Sequence, residues 1–539
     1  MRINTKIKGL HAYLFVGMAS LFSCTKLADE NYNQIVSDRF SPGESDLVSL
    51  VGPAYGAWRD VMGYGGSTFF RTQEVTADEV VIPARPNGWV DDGSYRRLHE
   101  HVWTNTDGTG ENWTTAYSGI TNCNRLIFQI ESGRLPVPAG KEALLAEIRA
   151  LRASFYYVLC DLYGNVPIVT KFDVEPGFLA EQNTRQQVYD FIISELIAVI
   201  PLLSEDATQE FYGRFNKWAA YTLLAKMYLN AGVYSGTPQW EKCIETCNAI
   251  INSNKYSLSA TQRPIFATNN AANSEIIFAI PYDEIYAAGN SIHMETLQPQ
   301  NQQTYNLQTS AWGGIAAIPQ YIDTYDPEDL RLKENWIQGP QLSSTGTQLI
   351  GSFSDFTGKP LVYINAIPGV DSTQEVHGFR LGKYEFKLGA TTNLSNDCPL
   401  FRLTDVMMMK AESLLRTNKA GEAAVIVTAI RARSFPANVA KATVTGTQLQ
   451  AGSTYDYGRR DYKGTTREGG ADIMYGRFLD ELGWEFNQEA RRRQDMIRFG
   501  IFTKKSWLSH TPKGDFRNLM PIPAGVLATN PKLKQNPGY

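Results

Sequence analysis

Two stretches of the chain set aromatic side chains among hydrogen-bonding residues with no periodic apolar partners. The first is Arg85-Pro86-Asn87-Gly88-Trp89-Val90-Asp91-Asp92-Gly93, and the second runs from Tyr305-Asn306 to Trp312-Gly313-Gly314. A flat ring stacks on the C–H face of a sugar, and Asn, Asp or Arg bind the hydroxyls around its rim. Trp89, Trp312, Tyr305, Asn87 and Asp91 are therefore the candidate ligand contacts. Large aromatics also pack their own loops onto a core, and at this level both readings stand.

Signals for catalysis are weaker. The chain has no Gly-x-x-x-x-Gly-Lys phosphate loop, no Gly-x-Ser-x-Gly elbow and no His-Glu-x-x-His. His99-Glu100-His101 would share a face on a strand, but two histidines fall short of a zinc ligand set. Asp and Glu together number 55, and nothing in their spacing singles out a glycosidase pair. Cys123, Cys160, Cys243, Cys247 and Cys398 are odd in number and scattered, unlike a disulfide framework. Cys243 and Cys247 share a helix face and read as small buried side chains. No catalytic residue, metal site or cofactor is expected.

The elements that must position the two aromatic stretches are helical. Leu144, Ile148, Leu151, Phe155, Leu159 and Leu162 recur at steps of three and four, one face of a helix that should stop at Gly164 with Pro167 beyond. Val188 to Leu203 repeats the pattern. Asn216–Asn230 is apolar nearly all round and should be central, with Gly232 ending it and Trp240–Asn252 as its partner. That pair resembles a tetratricopeptide unit, and Asp405–Thr417 with Glu422–Arg433 forms a second. Residues 40–120, 253–400 and 434–475 are rich in Gly, Asn, Thr, Ser, Tyr and Trp, with short strand-like runs such as Glu275–Ile280. Loops on a rigid scaffold are where function concentrates. With no linker-like tract, residues 24–539 read as a single body: helical scaffold mainly at 140–252, 402–433 and 476–500, and loop-rich ligand-binding insertions mainly at 60–120 and 253–400.

Lys and Arg number 51 against 55 acidic residues. That balance argues against nucleic acid, whose phosphates demand clustered cations. Arg491-Arg492-Arg493 lies among Glu485, Glu489 and Asp495, where local pairing on one helix is expected.

The first residues indicate export. Arg2, Lys6 and Lys8 precede an apolar run from Leu10 to Phe22, too short to span a bilayer. The run ends in Leu21-Phe22-Ser23-Cys24, which resembles a bacterial lipobox. That implies a signal peptide at residues 1–23, acylation of Cys24 and a lipid tether to the membrane. Lys26, Asp29 and Glu30 loosely resemble a surface-export signal.

Four further stretches resemble the SusD/RagB family of outer-membrane nutrient-binding lipoproteins. They are AEIRALRASFYYVLCDLYGNVPIV (146–169), FNKWAAYTLLAKMYLNAGVY (215–234), FLDELGWEFNQEARRRQDMIRFG (478–500) and the tail LMPIPAGVLATNPKLKQNPGY (519–539). Asp78-Glu79…Arg85 to Gly93 is similar to a loop of that family, with Pro86 and Asn87 in place of its usual glycines. The resemblance implies a mainly α fold of tetratricopeptide-like hairpins with long insertions. It also implies a lipid anchor facing the cell surface, an oligosaccharide ligand and a SusC-like TonB-dependent transporter as partner. A peptide ligand is the alternative within the family, and a surface glycoside hydrolase a more distant one. Tyr163-Gly164-Asn165-Val166-Pro167 and the charges at 485–498 read as scaffold, and the tail's prolines should hold it extended against the body.

Overall fold

A computed structural model of the chain describes residues 44–64, 68–86, 88, 91–107 and 110–539. Its frame is a run of helices, each packed on the next. They are α4 (Glu111–Glu131), α5 (Lys141–Leu162), α6 (Arg185–Val199), α7 (Lys217–Leu229), α8 (Trp240–Ile251), α9 (Leu403–Arg416) and α10 (Ala420–Arg431). The expected hairpins α7–α8 and α9–α10 form, and α8 packs on α9 across the long insertion that separates them in sequence. Most of α7 is buried, from Trp218 to Leu229 except Tyr221, which suits a helix apolar all round. Its start is fixed by Asn216, whose side chain accepts from the main-chain N–H groups of Trp218 and Ala219 at 3.1 and 2.9 Å. Gly232 does not end this helix. The break falls earlier, at Asn230, and Gly232 lies inside a further turn, Ala231–Tyr234.

The described part of residues 40–120 is more helical than its composition indicates. Helix α1 (Glu44–Met62) packs on α4 and α5, stacking Trp58 on Phe155 at 5.4 Å between ring centroids. Trp58 also donates to Ser154 Oγ at 2.9 Å. Gly52, Pro53 and Gly56 lie within the helix and hide its apolar period at Val51, Ala54, Trp58 and Val61. Two shorter helices follow, α2 (Phe69–Val75) and α3 (Ser94–His99).

The segment 478–500 is not one helix. It divides into α11 (Gly476–Phe486) and α12 (Arg492–Arg498), with Gln488 and Ala490 in the left-handed region at φ 65° and 58°. Its charges therefore pair mostly with distant elements. Glu485 meets Arg402 at 3.0 Å and Arg433 at 2.6 Å, and Arg492 meets Asp78 at 2.7 Å. Burial works to raise the pKa of Glu485, but Arg433, Arg402 and Arg331 outweigh it and hold the carboxyl well below its usual range. The Lys383 ammonium caps the end of α11, donating to the carbonyls of Glu485 and Asn487 at 2.7 and 3.0 Å. Only the pairs of Asp495 with Arg491 and Arg498 keep the expected helical spacing.

The tail closes on the turn after α5. Gly164 takes φ 70° and ends that helix as expected. Asn536 Nδ2 donates to the carbonyls of Tyr163 and Met520 at 2.8 and 2.9 Å. The tail is not wholly extended, since Ala524–Thr529 is helical. All five cysteines of the described residues are buried and unbridged.

Strands are few and short. β1 (Val80–Val81) pairs antiparallel with β3 (Ala316–Ala317), and β2 (Ile276–Ile280) pairs antiparallel with β4 (Cys398–Arg402). A small hairpin joins β5 (Arg460–Asp461) to β6 (Gly464–Thr465).

Candidate functional site

The pairing of β1 with β3 brings Arg85, at the head of the first stretch, to Gly313 and Gly314, at the end of the second. Its register, Val80 with Ala317 and Val81 with Ala316, sets the chain after β1 beside the chain before β3. Arg85 then ties them. Its buried guanidinium donates to the carbonyl of Gly313 at 2.9 Å, to that of Gly314, and to that of His377 at 3.0 Å. Burial, and secondarily the charge of Arg380, lowers its pKa. The far side is equally fixed. The main-chain N–H groups of Trp312, Gly313 and Gly314 donate to the carbonyls of Met294, Leu297 and Glu295 at 2.8, 2.8 and 2.9 Å.

Trp312 sits in this junction half-buried, packed on the main core. Asn87, Trp89 and Cys24 lie outside the described residues. Asp91 is described through its backbone, at the start of a short turn, Asp91–Gly93, that leads into α3. A hollow of about 320 Å³ adjoins this loop, lined by Ile82, Ala84, Asp92, Gly93, Tyr95, Arg96 and Asp371. Beneath it the Tyr95 hydroxyl accepts from Arg71, whose guanidinium pairs with buried Glu295. The hollow and the Trp312 strand thus share one polar support.

Tyr305 belongs elsewhere. It lines a hollow of about 510 Å³ with Arg263, Lys333, Glu334 and Phe386, and its ring meets Phe386 edge-on at 5.6 Å. Burial pushes its phenol up to about 12. A third hollow, about 560 Å³, is framed by Pro319, Gln320, Asp323, Ile367, Pro368, Asp456, Arg460 and Leu508. Sequence reasoning missed it, because its walls come from four separate segments and none carries a local pattern.

His99 and His101 are not alternate residues of a strand. His99 ends α3 and His101 is left-handed at φ 54°. Each donates through Nε2 to a main-chain carbonyl, His99 to Leu508 and His101 to Thr76. His510 joins them at 4.1 Å from the His101 ring and stacks on Trp507 at 3.9 Å. Burial lowers the pKa of all three, to about 4 for His99. Among the described residues no group of three or more His, Cys, Asp or Glu is arranged to hold a metal ion. Nor is any described helix long and apolar enough to cross a membrane.

Comparison with known proteins places this arrangement in a family. A SusD-like family model described as starch-binding and associating with the outer membrane matches residues 64–229, and the SusD family model matches residues 370–539. The chain belongs to the SusD/RagB family. Among its SusD relatives, SusD-like protein P25 of Formosa agariphila is 24% identical, with 99% of this chain and 100% of that protein covered. The starch-binding protein SusD of Bacteroides thetaiotaomicron is 25% identical over 88% of this chain and 86% of its own length. The SusD-type fold also matches solved structures. Surface glycan-binding protein A from Bacteroides thetaiotaomicron in complex with laminarihexaose superposes with a TM-score of 0.70 at 18% identity, covering 92% of this chain and 99% of that one. A laminarin-binding SusD-like protein gives 0.69 at 19% identity, covering 93% and 100%.

Proposed function

We propose that this chain is a glycan-binding lipoprotein of the outer membrane. It captures an oligosaccharide at the cell surface and passes it to a SusC-like TonB-dependent transporter, without acting on it chemically. The observation that carries the reading is the Arg85 junction. It ties the Trp312–Gly314 segment to the Arg85 loop, whose flanking residues Ala84 and Asp92 line a hollow with Arg96 and Asp371, polar groups of the kind that bind sugar hydroxyls. In this reading Trp312 stacks on a sugar ring, and Trp89, Asn87 and Asp91 complete the contacts from the neighbouring loop. Tyr305 serves a separate part of the surface. Full-length relatives named for starch and laminarin binding support the ligand class. Acylated Cys24 provides the anchor, and the matched family's association with the outer membrane supports the location.

Thermal unfolding of residues 25–539 against maltohexaose, laminarihexaose and a peptide digest tests the ligand class. A ligand at free concentration c that binds only the folded state stabilises it by RT ln(1 + c/Kd), so Tm rises with ligand concentration. The expected result is a concentration-dependent rise with one glycan class. A rise with peptides alone would replace the glycan reading by a peptide-binding one.

A further inference from the structure

The hairpin of β5 and β6 carries an aromatic ring that the fold holds in place yet leaves open. Tyr462, at its tip, is 60% exposed. Its main-chain N–H donates to the Pro368 carbonyl at 2.8 Å, and its hydroxyl donates to Asp371 Oδ2 at 3.3 Å. Its ring lies against Gly369, where a Cβ would stand 2.9 Å from ring Cδ1. Lys463 pairs with the same Asp371 oxygen at 2.6 Å and lies 5.1 Å from the ring centroid. Burial works against ionisation of Asp371, but Lys463 outweighs it and lowers the carboxyl's pKa. Its neighbours orient the ring while leaving it presented to solvent.

Its position gives the ring a use. Asp371, which holds the hydroxyl, lines the hollow beside the Arg85 loop. Pro368, which holds the backbone, lines the 560 Å³ hollow with Asp323, Asp456 and Arg460. Tyr462 therefore bonds to one lining residue of each hollow. We propose that Tyr462 is a second stacking platform, which joins these hollows into one site for an extended, neutral glycan of several sugar units. This proposal rests on the glycan-binding reading.

The second hollow has matching chemistry. Ile367 and Pro368 give apolar surface, and Asp323 keeps one carboxylate oxygen beyond the one that accepts from Asn365 at 2.7 Å. Asp456 and Arg460, paired at 2.6 Å, offer acceptors and donors at the mouth. Two carboxylates facing one guanidinium disfavour a polyanionic chain and suit hydroxyls.

The test is calorimetric titration of residues 25–539 with tri- and hexasaccharides of the maltose and laminaribiose series. The proposal expects the hexasaccharide of the recognised series to bind more tightly than its trisaccharide. Tyr462→Ala should weaken hexasaccharide binding roughly five- to tenfold, the size of one aromatic stack, and leave the trisaccharide unchanged. Tyr462→Phe, which keeps the ring, should retain the hexasaccharide affinity. Equal hexasaccharide affinity in Tyr462→Ala and the unsubstituted protein would overturn the proposal while leaving the glycan reading intact. Absence of binding at either length in the unsubstituted protein would remove both.

Discussion

Arg85 donates to the main-chain carbonyl of Gly313 at 2.9 Å, across 228 residues of sequence. One guanidinium also reaches Gly314 and His377, so the geometry of the junction depends on a planar, forked cation that a lysine cannot imitate. Arg85→Lys should lower stability in urea by about 2–3 kcal/mol, the cost of buried carbonyls left without donors. Glycan affinity should fall at least tenfold, because the Trp312 loop loses its tie. A variant with unaltered stability and affinity would show that the junction does not organise the site.

The scaffold makes a separate prediction. Glu485 is buried and meets Arg402, Arg433 and Arg331. Glu485→Gln removes an anion shared by three buried guanidiniums, which keep Asp329, Glu489 and Glu275 as partners, so unfolding free energy should fall by about 3 kcal/mol. The exposed pair of Lys532 and Glu181 is the control. Its removal should change stability by less than about 1 kcal/mol. Similar effects at both places would contradict the internal role of Glu485.

The histidine cluster predicts how stability varies with pH. His99, His101 and His510 are buried and held neutral, and Arg493, Arg517 and Lys513 add repulsion to their protonated forms. Their folded pKa values lie below the unfolded value of about 6.5. The unfolded chain therefore binds more protons between pH 6.5 and about 4, and stability falls as pH falls through that window. His510→Phe keeps the stacking on Trp507 and removes one proton site. Between pH 7.5 and 5 the variant should lose about 2 kcal/mol less than the unsubstituted protein. Parallel pH profiles would show that His510 does not contribute.

Membrane attachment gives the last of these predictions. Cys24→Ala in the full chain should move the protein from the membrane fraction to the soluble fraction and impair glycan uptake. Both effects follow if a lipid on Cys24 holds it at the transporter. Unchanged fractionation would remove the anchor from the account.

The helices from α5 to α10 are legible in the sequence because their apolar residues recur at the helical period and end at turn residues. Helix α1 is hidden by Gly52, Pro53 and Gly56, which packing against α4 and α5 tolerates. The break between α11 and α12 has no Gly or Pro to announce it. It depends instead on long-range partners. Buried Glu74 accepts from the N–H groups of Gln488 and Arg491 at 3.4 and 3.2 Å, and Lys383 caps the helix before it. Local charge spacing points to one helix, and tertiary contacts prevail.

The site was legible in part for the same reason. The aromatic and polar composition of the Arg85 and Trp312 stretches marks them without any fold. Tyr305 shares that composition, and the fold turns it to a different hollow. Tyr462 and His510 have ordinary local surroundings. Their significance comes from Gly369, Asp371, His99 and His101, residues remote in sequence.

Isothermal titration of residues 25–539 and of Trp312→Ala with the glycan that raises Tm tests the central claim most directly. The account predicts saturable binding near one equivalent for the unsubstituted protein, and at least tenfold weaker binding for the variant with its fold intact by circular dichroism. Equal affinities in the two proteins would show that the glycan binds away from the Arg85–Trp312 junction, and the site proposed here would be wrong.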